Sequence, residues 1–77
     1  MDKLGEMETF ARVVETGSFS GAARDLRMTP SAVSKMIGRL EDRLGVRLLS
    51  RTTRKLSLTE EGRVFYQRVT PILAEAS

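Results

Sequence analysis

The sequence predicts a mainly α fold: three short helices, closed by a two-stranded β-hairpin and followed by a fourth helix. Three observations predict it. Between residues 18 and 45, an apolar-periodic stretch, a tight break and the pair Thr29-Pro30 lead into a second helix with one polar face of small and basic residues, which reads as a helix-turn-helix. From Arg43 to Lys55 the chain carries five basic residues (Arg43, Arg47, Arg51, Arg54, Lys55) and no acidic one, closing in an alternating Leu56-Ser57-Leu58. Before and after this region, apolar residues recur at helical spacing.

Leu4, Met7, Phe10, Ala11 and Val14 predict an amphipathic helix over residues 3 to 16, with Val13 on its flank. Gly17 ends it, being free to adopt a positive φ. Ser18 or Ser20 caps the next helix, in which Phe19, Ala22, Ala23 and Leu26 fall at i, i+3, i+4 and i+7. The alanine pair lets two helices approach closely. Thr29 then caps the free amides of a third helix, and Pro30, with no amide of its own and a preset φ, suits its first position.

In that helix Val33, Met36, Ile37, Leu40 and Leu44 form the inward stripe. At 100° per residue Ser31, Lys35, Gly38 and Asp42 lie opposite, flanked by Ser34 and Arg39. The first half of this face is small and basic, whereas Asp42 would repel phosphates, so the N-terminal half is expected to enter a major groove and the rest to leave it. Gly38 costs about 1 kcal/mol relative to alanine. Either it permits close approach of a DNA backbone, or it is a tolerated surface glycine.

Gly45 stops the third helix, and residues 47 to 50 and 55 to 58 read as two strands around the turn Arg51-Thr52-Thr53-Arg54. Arg51, Thr53 and Arg54 place two guanidinium forks and a hydroxyl at the hairpin tip, groups that suit phosphate oxygens and a narrow minor groove. Leu48, Leu49, Leu56 and Leu58 anchor the hairpin. Thr59-Glu60-Glu61 starts the last helix with a cap and two carboxylates against its positive end. Phe65, Val69, Ile72 and Ala76 make a stripe that Val64 and Leu73 widen. A stripe this wide points to the same helix of a second copy, the alternative being packing onto residues 4 to 14. Pro71 removes the bond to the Gln67 carbonyl and predicts a kink or an end near residue 70.

At 77 residues the chain is one domain that buries about 60 to 65% of its unfolded surface. The net charge of +3 is unevenly spread: residues 27 to 40 carry +3 and residues 43 to 55 carry +5, against −2 for residues 1 to 17 and −1 for residues 59 to 77. Cations concentrated on one helix and the hairpin are the footprint of a phosphate backbone. With no cysteine and no histidine, the commonest nucleophiles, bases and metal ligands are missing, so no catalytic residue, metal or cofactor is expected. No apolar run approaches the ~18 residues of a membrane span, and the acids near the start do not fit a signal peptide. A cytoplasmic protein without membrane contact is expected. A winged helix serving as a protein-interaction module is the alternative function, and an enzyme fragment a third.

The set Met7-Glu8-Thr9-Phe10, Gly17-Ser18-Phe19-Ser20, Ala22-Ala23, Ser31-Ala32-Val33-Ser34, Leu40-Glu41, Leu44-Gly45-Val46, Leu48-Leu49, Arg51-Thr52-Thr53-Arg54 and Leu58-Thr59-Glu60-Glu61-Gly62 closely resembles the amino-terminal domain of LysR-type transcriptional regulators, over roughly residues 3 to 74. The resemblance implies a bacterial winged helix-turn-helix: a three-helix core, a two-stranded β wing and a C-terminal linker helix that dimerises. Residues 1 to 58 would form the DNA-binding domain and residues 59 to 77 the linker. By position, the family's recognition-helix contacts fall on Thr29, Pro30, Ser31, Ser34 and Lys35, and its wing contacts on Arg51, Thr53 and Arg54. Thr29 stands where glutamine is common in the family. Arg39 joins these DNA-binding candidates from its place beside the polar face, and Val64, Phe65, Val69, Ile72 and Leu73 are the dimerisation candidates. A homodimer on double-stranded DNA predicts an inverted-repeat operator. Family members normally continue into a domain that senses a small metabolite, so a small-molecule effector is expected only through a domain that this fragment lacks.

Overall fold

The computed structural model of the chain describes residues 3–51 and 56–76, Ala76 by its backbone alone. In order they form α1 (Lys3–Thr16), α2 (Phe19–Leu26), α3 (Pro30–Leu44), β1 (Leu49–Arg51), β2 (Leu56–Leu58) and α4 (Glu60–Ala76). α1 is the central element, touching α2, α3 and α4. Its buried residues are accordingly Thr9, Phe10, Ala11 and Val13, an arc too wide for one partner. Val13 is therefore core rather than flank, whereas Leu4 is exposed. The buried Thr9 hydroxyl donates to the Gly5 carbonyl at 2.8 Å, which removes its desolvation cost.

Each helix boundary has a local cause. Gly17 adopts φ 75° and donates its N–H to the Val13 carbonyl. Of the two candidate caps Ser18 fills the role, its extended backbone bringing the side chain to the Gly21 N–H at 2.9 Å. α2 ends on Arg27, whose left-handed backbone turns the Arg27 and Met28 amides onto carbonyls of the last helical turn. Thr29 then caps α3 through the Ala32 N–H, with Pro30 opening the helix. Ala22 and Ala23 are buried and let α2 pack closely on α3, whose Val33, Ile37 and Leu40 fill the core with Phe10, Val13, Leu48 and Leu49.

The strands pair antiparallel, with Leu49 opposite Leu58 and Arg51 opposite Leu56. β1 starts two residues later than the alternation suggests, because Arg47 and Leu48 are already engaged elsewhere. The Leu48 N–H donates to the Glu41 carboxylate at 2.8 Å, and the carbonyls of Leu48 and Arg47 accept from the N–H and hydroxyl of Thr59. Arg51 lies within the strand rather than in the turn. The expected turn residues Thr52, Thr53 and Arg54, and Lys55, lie outside the described residues.

α4 starts on Thr59, whose hydroxyl accepts from the Gly62 N–H at 2.9 Å. Its first half completes the core. Phe65 and Tyr66 set their rings edge-on to Phe10 at 5.4 and 6.4 Å between centroids, and Val69 is buried. The Tyr66 hydroxyl lies 3.5 Å from the Glu15 carboxylate; partial burial and that negative charge both raise the phenol's pKa above its ordinary value. The early end expected at Pro71 does not occur: α4 runs through it to Ala76. Pro71 is exposed, and the Gln67 carbonyl it leaves without an amide faces the Thr70 hydroxyl at 3.5 Å.

Candidate nucleic-acid interface

α3 turns its stripe of Val33, Ile37 and Leu40 inward, so its opposite face is free. Thr29, Pro30, Ser31, Lys35 and Arg39 are exposed, and Ser34 and Gly38 half-exposed. A Cβ added at Gly38 would meet nothing within 4 Å, so no contact inside the chain requires a glycine there. Asp42 is exposed further along, towards the C-terminal end of the helix.

The structure separates the described cations by their partners. Arg43 pairs with Glu6 of α1, Arg47 approaches the Glu41 carboxylate at 3.9 Å, and Arg12 and Arg63 pair with Glu15 and Glu60 on their own helices. Two of the five basic residues in the 43 to 55 stretch are thus engaged with carboxylates. The Arg51 guanidinium sits over the Phe19 ring at 4.7 Å from its centroid, held at the root of the wing by a cation–π contact. Strand alternation explains the placement: Arg51 shares a face with Leu49, so its stem runs along the core side. Lys35 and Arg39 make no ion pair among the described residues, and neither do Arg24, Arg27 and Arg68. Thr53 and Arg54, expected at the hairpin tip, lie outside the described residues.

The wing is fastened to α3 by Glu41, a residue whose part the sequence reading missed. Its carboxylate is buried and accepts from the Leu48 and Leu49 amides at 2.8 and 3.1 Å. A signal for it exists: position 41 lies four residues after Ile37 and eight after Val33, on the inward arc. A carboxylate there must find donors within the fold. Gly62 is a second residue that local pattern does not single out. A Cβ there would overlap the Leu48 carbonyl, so the glycine lets α4 lie directly on the wing root.

The dimerisation candidates on α4 separate. Val69 is 1% exposed and is a core residue of the single chain, which corrects its assignment to a free face; Phe65 is half-buried against Phe10. Leu73 falls on the same side as Val69 at 100° per residue. Val64 and Ile72 are 40% and 46% exposed, with Arg68 between them at i, i+4, i+8. Beside Val64 a groove of about 370 Å³ opens between α3 and α4, lined by Leu44, Val46, Val64, Phe65 and Arg68 among others. Leu44, expected in the core stripe, is exposed on this groove.

Residues 4–63 match the family model described as the bacterial regulatory helix-turn-helix protein, lysR family. The chain belongs to the LysR family. It is 57% identical over 70 residues to the HTH-type transcriptional regulator CrgA of Neisseria meningitidis, covering 91% of the chain and 23% of that protein. It is 49% identical over 75 residues to the HTH-type transcriptional activator AaeR of Escherichia coli K12, covering 97% of the chain and 24% of the relative. The LysR-type chain thus spans about a quarter of the length of these curated relatives. Its fold matches the DNA-binding domain of BenM in complex with benA site 1 DNA at a TM-score of 0.92 and 36% identity, over 97% of this chain and 84% of that one. The mainly helical winged helix-turn-helix of the LysR DNA-binding domain is therefore the fold of this chain. Among its described residues no helix is long and apolar enough to cross a membrane.

Proposed function

We propose that this domain is the sequence-reading unit of a bacterial transcription regulator, working in the cytoplasm as a homodimer that places α3 of each copy in successive major grooves of an inverted-repeat operator. It acts by binding rather than by catalysis. The observation that carries this reading is the exposed first half of α3, where Lys35 and Arg39, without an ion pair among the described residues, stand beside Thr29, Pro30, Ser31 and Ser34. Small side chains let a helix sit deep in a groove, and unpaired cations need give up no partner to meet phosphate. Arg51 is the wing-root contact, with Thr53 and Arg54 of the tip beyond it. Likeness to a domain that has been solved on DNA supports the assignment.

In this reading residues 1 to 58 hold the DNA and residues 59 to 77 pair the copies. The pairing face is the flank carrying Val64 and Ile72, with Phe65 at its edge, and the groove beside Val64 continues it; Leu73, on the Val69 side, is left out of it. A small-molecule effector would act through other parts of a longer protein such as the curated relatives.

Two measurements test this. If Lys35, Arg51 and Arg54 of both copies meet six phosphates, log K falls against log salt with a slope of about −5. A slope near zero removes the DNA reading. In selection from random oligonucleotides, Ser31→Ala and Lys35→Ala should change the preferred sequence, whereas Arg54→Ala should weaken all sequences alike. An unchanged site for both helix variants would place the reading face elsewhere.

A further inference from the structure

Arg27 is the one described non-glycine residue with a positive φ, at φ 58° and ψ 46°. It occupies the position just past α2 where glycine is the cheapest residue. The bonds that close this turn are all made by the main chain: the Arg27 N–H to the Ala23 and Arg24 carbonyls, and the Met28 N–H to the Ala23 carbonyl at 2.8 Å. A glycine would make the same bonds without the strained Cβ, so the turn itself has no use for the guanidinium. Nor do the other described residues: Arg27 is exposed and makes no ion pair among them. The same holds for Arg24 three residues earlier. Asp25, also exposed, is turned about 100° from Arg24 on α2.

Arg27 stands two residues before Thr29-Pro30, the end of α3 that leads into the groove in the reading above, and Arg24 lies in the last turn of α2 that leads to it. The edges of a major groove are lined with phosphates, and side chains around a recognition helix that cannot reach the bases meet the backbone instead. An arginine fork matches two phosphate oxygens at once. We propose that Arg27, with Arg24 beside it, grips the DNA phosphates next to the N-terminus of α3, a contact separate from the recognition face and the wing. This inference rests on the DNA-binding reading.

The test compares the 77-residue chain with Arg27→Gly and Arg27→Lys, each by thermal unfolding and by binding to a labelled random-sequence duplex across a salt series. Arg27→Gly should hold or raise Tm while lowering affinity roughly three- to tenfold and flattening the salt slope by about 1 for each bound copy. Arg27→Lys, which keeps the charge in the strained position, should restore most of the slope. A glycine variant that binds with wild-type affinity and slope, while the wild type stays salt-dependent, overturns the Arg27 contact alone. A wild-type slope near zero overturns both readings. If Arg27→Gly loses Tm as well as affinity, the lysine variant decides: a wild-type slope upholds the contact, and a flattened slope overturns it.

Discussion

At residue 41 a single carboxylate does the work of several backbone partners. Leu48 and Leu49 are buried, and without Glu41 their amides would lose this acceptor. Hydrogen bonds to a charged acceptor contribute more than neutral ones, and a buried donor left alone loses its full hydration. Arg47, 3.9 Å away and largely exposed, adds little. Glu41→Ala should therefore cost about 2–4 kcal/mol and lower Tm by at least about 10 °C, with Glu41→Gln falling between; an alanine variant melting at the wild-type temperature would refute the anchoring role. Two glycines in helices offer a contrast of sign. Gly38→Ala should stabilise by up to about 1 kcal/mol, because the added methyl meets open space and alanine is the better helix former. Gly62→Ala should destabilise by about 1–3 kcal/mol despite the same propensity gain, because the methyl collides with the Leu48 carbonyl. Denaturant midpoints of the two variants shifting in the same direction would contradict this.

Among the elements, the wing root depends on α2 as well as on α3. Phe19 packs its ring beneath the Arg51 guanidinium, so Phe19→Leu keeps apolar bulk but removes the π face. We expect a stability loss of about 1 kcal/mol and weaker DNA binding with no change in preferred sequence, read by thermal melts and competition binding. Affinity unchanged by Phe19→Leu but reduced by Arg51→Ala would show that the ring does not position the arginine. The end of α1, the start of α2 and both ends of α3 were legible because Gly17, Ser18, Thr29-Pro30 and Gly45 each act on their own few residues, whereas Arg27, which closes α2, carried no such signal. The outward face of α3 was legible from its period alone. What escaped depends on neighbours distant in sequence: α1 buries Val13 and exposes Leu4 because it is surrounded, and β1 starts late because Glu41 and Thr59 claim Leu48. A charge sum could not tell the paired Arg43 and Arg47 from the unpaired Arg24 and Arg27. Pro71 does not end α4, because the carbonyl left without an amide lies on an exposed face and meets the Thr70 hydroxyl.

For the whole molecule, α4 serves two surfaces at once. Val69 lies in the core while Val64 and Ile72 stay exposed, so aspartate should have opposite consequences at the two kinds of position. The double variant Val64→Asp/Ile72→Asp should fold, sediment as a monomer and lose most of its affinity for a paired site, whereas Val69→Asp should unfold the chain by burying an unpaired charge. A wild type that stays monomeric at high concentration and binds DNA no better than the double variant would end the dimer proposal. The peptide around Leu48 has a kinetic meaning too. Its amide is held by α3, its carbonyl receives the Thr59 amide, and Gly62 lies against that carbonyl. None of these bonds can open without disturbing the others, so in heavy water the amides of Leu48, Leu49 and Thr59 should exchange as a group, at the slow rate set by unfolding of the entire domain.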